Sequence, residues 1–239
     1  RADDEQRALL YERAARVGVG TRERQRPRTS LGQHAAVDHI AGDCRESLEN
    51  VCRLLRAEGH TLVPVQLGWQ FELLRQEHRL VMHHEAWSHH GSLLDGQADL
   101  LGAHWRRALE GGRSLDARRV DSARESLARA RSHALEALSD LDLVLLPPTR
   151  STAPLGINST GDAGLIVPWT FIGSPLAVLP VGLSAENGLP TAVMLAGKPQ
   201  EDLAAILSFR RIAALLQAHG LAIDAAPHGQ RPAAVQGAA

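Results

Sequence analysis

The chain has 239 residues, 44% hydrophobic and 22% charged, proportions of a globular chain and not of a disordered one. Its formal net charge of −1 offers no basic field to nucleic acid or an anionic membrane, and no apolar run approaches the ~18 residues of a spanning helix. The two cysteines, Cys44 and Cys52, have the spacing of neither a zinc knuckle nor a C-x-x-C redox pair and point to a reduced, cytoplasmic setting.

The chain opens on Arg1 with no signal-peptide pattern after it, which reads as a processed or partial product. Residues 1–42 are rich in arginine and acidic side chains. "DDEQRALLYERAARVG" has a thin apolar stripe and is expected to form a helix ending at Gly18, and "TRERQRPRTS" reads as exposed linker or tail. No aromatic residues interleave that basic run, so solvated surface is favoured over nucleic-acid binding.

From residue 43 a folded unit is expected to run to 223. Its first part, 43–139, is mostly helical. "CRESLENVCRLLRAEG" sets Leu48, Val51, Cys52, Leu54 and Leu55 on one face, with Gly59 as its stop. "HTLVPVQL" follows as a strand. Residues 70–138 then read as helices broken at Gly91, Gly96 and Gly111-Gly112, the last of them marked by Ala123, Leu127, Ala130, Ala134 and Leu138.

Within this region "VMHHEAWSHH", residues 81–90, gathers four histidines and a glutamate. In the H-E-x-x-H zinc motif the histidines lie four apart on one helix face. Here His84 and His89 are five apart, which turns them about 140° from each other at about 100° per residue. They cannot chelate one ion, so a solvated helix edge is the expectation, and neither metal nor cofactor.

The second part, 140–223, carries sheet plus helix. "LDLVLLP" is a continuous apolar run, as in a strand buried on both faces. "PLAVLPVGL" and "PTAVMLAG" are two more, joined by "SAENG", where Asn187-Gly188 is expected to supply positive-φ positions for an antiparallel connection. "EDLAAILSFRRIAALLQAHG" is a closing helix, and residues 224–239 read as a disordered tail.

Residues 140–207 resemble the carboxyl-terminal part of the amidase signature family. Asp142 leads a buried strand that ends in Pro147-Pro148-Thr149, with Ala153-Pro154 beyond. Gly173-x-Pro175 precedes a strand closing in Pro180-x-Gly182. Gly188-Leu189-Pro190 opens the next, which ends at Gly197, and Glu201 begins the helix. The resemblance implies an α/β fold, a partial amidase-signature fold with a mixed sheet covered by helices. It also implies a C–N bond hydrolase acting on a small-molecule amide, and places the histidine-rich stretch in helices that line or cover the substrate entrance. In "PWTFIG", Trp169, Thr170, Phe171 and Gly173 are the candidate substrate-binding residues; filling of the core by Trp169 and Phe171 is the competing reading.

That family resembles a serine acyl-transfer machine in which a second serine and a lysine relay the proton. A serine hydroxyl is a poor nucleophile until a base takes its proton. This sequence has no Gly-Gly-Ser-Ser-Gly-Gly run, no paired serines and no lysine other than Lys198, the remaining 25 of its 26 basic residues being arginine. Ser159 in "GINSTG" does not match the nucleophile elbow G-x-S-x-G, and Lys198 sits among acidic neighbours. No catalytic residue is therefore assigned. The expected partner is the amino-terminal half of an amidase, or a second copy of this chain. A non-catalytic scaffold or interaction protein derived from the same fold is the alternative.

Overall fold

A computed structural model describes residues 30–34, 40–65, 67 and 71–222. The expected helix up to Gly18 and the expected tail at 224–239 lie outside the described residues. Among the described residues five strands form one mixed sheet: β1 (Ser30–His34), β2 (Thr61–Val65), β3 (Leu143–Leu146), β4 (Leu176–Leu183) and β5 (Pro190–Gly197), in the order β2-β1-β3-β5-β4. β1 runs parallel to both neighbours, with Leu31 opposite Leu62 and Leu143. β5 is antiparallel to β3 and β4, with Leu146 opposite Met194 and Leu183 opposite Pro190.

β1 corrects the reading of 1–42 as helix, linker or tail, because residues 30–34 lie inside the sheet. Their five-residue run, SLGQH, has no β-branched or aromatic residue to announce a strand. Backbone pairing on both sides is what makes it one.

Successive side chains of a strand point to opposite faces, and the all-apolar β3 feeds two cores. Leu143 and Leu145 join Val181, Val193 and Leu195 against helices α1 (Gly42–Ala57) and α7 (Asp202–Ala218). α1 contributes Leu48, Val51, Cys52 and Leu55, on the face its 3.6-residue period sets, while Gly59 closes the chain behind it at φ 83. Val144 and Leu146 join Met194 and Ala196 on the other face, against Ala134, Leu138, Trp169 and Ile172. Fully burying each such side chain stabilises the fold by about 1.5–3 kcal/mol.

The helical region comprises α2 (Phe71–His90), α3 (Leu93–Gly96), α4 (Ala103–Arg113) and α5 (Ala117–Ala137). Asp116 caps α5, its carboxylate accepting from the Arg118 amide at 3.2 Å. Chain breaks fall at Gly91 and at Gly96, as expected, but α4 runs on through Gly111-Gly112. A Cβ on Gly112 would lie 2.0 Å from the His83 carbonyl oxygen. Glycine is there so that α4 can press against the backbone of α2, and not to stop the helix.

Candidate functional site

β3 and β4 point the same way, so their exits gather with the start of β5 at one end of the sheet. Pro147-Pro148, Gly182 and Gly188-Leu189-Pro190, which carried much of the sequence resemblance, meet there. Prolines cannot donate to a ladder and so mark where strands leave it. Pro180 and Gly182 flank a bulge in β4.

The end of the sheet is fastened by hydroxyls. Ser47 Oγ on α1 and Thr191 Oγ1 on β5 are 2.7 Å apart, and a side chain at Gly182 would press on both. Ser184, buried, accepts from the amides of Glu186 and Asn187 at 3.2 and 3.4 Å and so shapes the β4–β5 turn. Its hydroxyl beside Asp43 holds that carboxyl below the usual carboxylate range, against the opposing effect of burial. In the turn Gly188 takes the positive φ, 69°, and Asn187 does not; Asn187 instead accepts from the Leu189 amide and donates from Nδ2 to Thr152 Oγ1 at 2.9 Å. The loop after β3 is thereby tied to the hairpin.

The same loop has a second fastening. Asp162 lies 3.2 Å from the Arg75 guanidinium of α2 and 3.5 Å from that of Arg150, and accepts from the Gly164 amide at 2.9 Å. From there the chain enters α6 (Val167–Ile172), the element that holds the candidate substrate residues. "PWTFIG" is thus a one-and-a-half-turn helix, not a loop. Pro168 sits in its first turn and Gly173 ends it in the left-handed region at φ 78, the arrangement expected for a helix start and stop. Those two signals were present in the sequence and identify the helix.

The four candidates then part company. Trp169 has 0% exposure and packs beneath α6 with Ile172, Met194 and Ala196; in this chain it fills the core and holds α6 in place. Phe171 is half-buried at the edge of that core. Thr170 faces solvent, with its hydroxyl donating to the Val167 carbonyl at 2.7 Å, and Gly173 is exposed with open space where a Cβ would stand. The structure does not bring them to the end where the strand exits gather: α6 leads toward the start of β4, opposite it.

Four side chains with nucleophilic or basic potential, Ser159, Lys198, Cys44 and Cys52, are accounted for by their surroundings. Ser159 Oγ accepts from the Gly161 amide at 3.1 Å, a turn-forming contact. Lys198 Nζ donates to the Ser139 carbonyl at 2.7 Å. Burial, with the charge of Asp43 beside it, raises the Cys44 thiol, and burial raises that of Cys52, which keeps both as poor nucleophiles. Among the described residues no group of three His, Cys, Asp or Glu is arranged to hold a metal ion. In the histidine-rich stretch His83 packs on Gly111 and Gly112, and the His90 ring lies 6.0 Å from that of Trp105.

A family model, Amidase, matches residues 21–205. This chain belongs to the amidase family. The match begins inside the segment that holds β1, in keeping with that strand's place in the sheet. Among solved structures the chain is similar to an amidase at 20% identity and a TM-score of 0.68, covering 80% of this chain and 45% of that one. A 6-aminohexanoate cyclic dimer hydrolase matches at 18% identity and TM-score 0.63, over 84% of this chain and 48% of that one. A bacterial aryl acylamidase of the amidase signature enzymes family matches at 17% and 0.61, over 81% and 45%. A comparison with curated protein sequences finds no match. The chain therefore spans less than half the length of the amidase structures it resembles. The expected mixed sheet with helical cover is the fold observed, and among the described residues no helix is long and apolar enough to cross a membrane.

Proposed function

We propose that this chain is the carboxyl-terminal part of a cytoplasmic amidase that converts an amide to a carboxylate and an amine or ammonia. It supplies sheet, helical cover and part of the substrate wall, while the attacking serine, its partner serine and the lysine base come from an amino-terminal amidase half or, failing that, a second copy. The observation that carries this reading is the asymmetry of coverage: 80% of this chain aligns with only 45% of an amidase. Its own hydroxyls support the division of labour. Ser159 is spent on a turn and Ser47 on Thr191, and Lys198 holds a carbonyl at the far end of β5.

In the assembled enzyme Thr170, Phe171 and Gly173 form the substrate-facing side of α6, with Trp169 holding them from beneath. The test is a fluorophosphonate probe and a panel of simple amides applied to the purified polypeptide. No turnover and no acyl or phosphonyl adduct is expected on the chain alone. An adduct on any of its side chains, with hydrolysis lost when that residue is changed, would overturn the proposal.

A further inference from the structure

We propose that the uncovered side of β4, together with the apolar tip of the loop after β3, is the surface on which an amino-terminal amidase half docks. This rests on the division of labour proposed above and locates the contact. Among the described residues β4 has a neighbour only on the β5 side. One of its faces, through Ala177, Leu179 and Val181, packs on the α1/α7 core. On the other face the α5/α6 layer reaches Leu176 and goes no further. Val178 is left 49% exposed there, and at the strand's exit Leu183 is 62% exposed.

The second component is the loop. Leu155 and Ile157 are 104% and 98% exposed, three and five residues beyond Thr152, which Asn187 pins to the β4–β5 turn. That pin brings the loop to the end of the sheet where Leu183 and Leu189 are also exposed. Free edge strands are commonly guarded by charged side chains, prolines or bulges; β4 reads LAVLPVGL, with no charge, and its Pro180 and the bulge beside it interrupt only the second half of the edge. Scattered exposed leucines are ordinary, whereas several gathered at one end of a sheet mark an interaction surface. Pro180, without an amide proton, cannot sustain a ladder along the whole outer edge. Docking through the side-chain face and the loop tip is therefore favoured over a full added strand. The occupant follows from length: the similar amidase structures each carry more than half of their chain beyond what this polypeptide matches.

The experiment co-expresses the chain with the polypeptide encoded immediately upstream of it, in frame or separately, and reads mass by light scattering and amide hydrogen exchange along this chain. Protection confined to residues 153–158 and 176–184 is expected. Leu155→Asp with Ile157→Asp should weaken association at least tenfold while leaving the chain's own denaturant midpoint within error, because both side chains are fully exposed; Val178→Thr, which keeps a β-branched side chain in the strand, should weaken it less. Absence of association, protection at the β2 edge instead, or a self-dimer burying the same residues would each overturn it. A complex that forms through this face but hydrolyses no amide overturns the proposed activity and leaves the docking surface standing. Hydrolysis undiminished by these variants does the reverse.

Discussion

The Arg119 guanidinium meets the Glu77 carboxylate through two parallel hydrogen bonds, Nη1 to Oε2 at 2.8 Å and Nη2 to Oε1 at 2.7 Å. Glu77 on α2 is buried, and Arg119 reaches it from the first turn of α5. A buried carboxylate without a partner is costly, and removing one member of such a pair costs more than replacing both by apolar groups. Arg119→Met should therefore lower the urea midpoint more than the double variant Arg119→Met, Glu77→Leu. Equal midpoints for the two would show that the pair does not hold α5 to α2.

Gly112 gives a second test of how that helical layer packs. Alanine in a helix interior is favoured over glycine by about 1 kcal/mol, so propensity alone predicts that Gly112→Ala stabilises. The Cβ would instead meet the His83 carbonyl, a backbone group that cannot turn aside. A net loss of about 1–3 kcal/mol is expected from the forced separation of α2 and α4. At Gly111 the nearest atom is His83 Nδ1 at 3.3 Å, on a ring that can rotate, so Gly111→Ala should be the milder of the two in chemical denaturation.

These two positions show what the sequence could and could not convey. β3, β4, β5, α1 and α7 were legible because each buries a run or stripe long enough to leave a period. β1 was not, because a strand paired on both sides by backbone need not advertise itself in side chains, and SLGQH follows an arginine-rich stretch. Gly111-Gly112 reads as a break since glycine usually punctuates, whereas close approach of two helices depends on a neighbour that no local pattern names. α6 was the nearest miss: Pro168 and Gly173 bound it as N- and C-terminal signals, but six residues are too few for periodicity to outweigh the look of a loop. For the same reason Trp169 could not be told from a pocket residue until its neighbours Met194 and Ala196 were in place.

Three partly buried histidines should make the fold sensitive to mild acid. Burial holds His60, His78 and His83 below the ordinary histidine value; Glu58 and Glu85 oppose this at the first two, while Arg79 and His104 add to it at His83. In the unfolded chain these rings protonate near pH 6.5, before they do in the folded one. The unfolded state thus binds more protons below that point, and stability falls as pH drops from about 6.5 toward the folded values. Asp43, whose pKa is lowered, acts only in stronger acid: its contribution is present above the ordinary carboxylate range and is lost as pH falls through its folded value. Denaturant midpoints should be level between pH 8 and 7 and decline toward pH 5.5, with His83→Gln flattening part of that decline. A midpoint that rises on acidification through this window would contradict the burial of these rings.

The substrate wall proposed for α6 would separate a packing role from a substrate-facing one within adjacent residues. Trp169→Ala removes a fully buried ring from between β5 and α6, and a loss of about 3–5 kcal/mol is expected. Thr170→Ala deletes an exposed hydroxyl that bonds only to its own helix, and the unfolding free energy should change by no more than about 0.5 kcal/mol. In the assembled hydrolase the order reverses. Thr170→Ala and Phe171→Ala should lower kcat/KM for the amide by up to about tenfold, the loss of roughly 1.4 kcal/mol of contact at the reacting complex, with the fold intact. Trp169→Phe keeps a ring in the core and should leave kcat/KM close to that of the unchanged enzyme. If Trp169→Phe abolished turnover at full stability while Thr170→Ala and Phe171→Ala did nothing, the substrate would have to reach α6 from beneath, and the wall assigned to its exposed side would be on the wrong face of the helix.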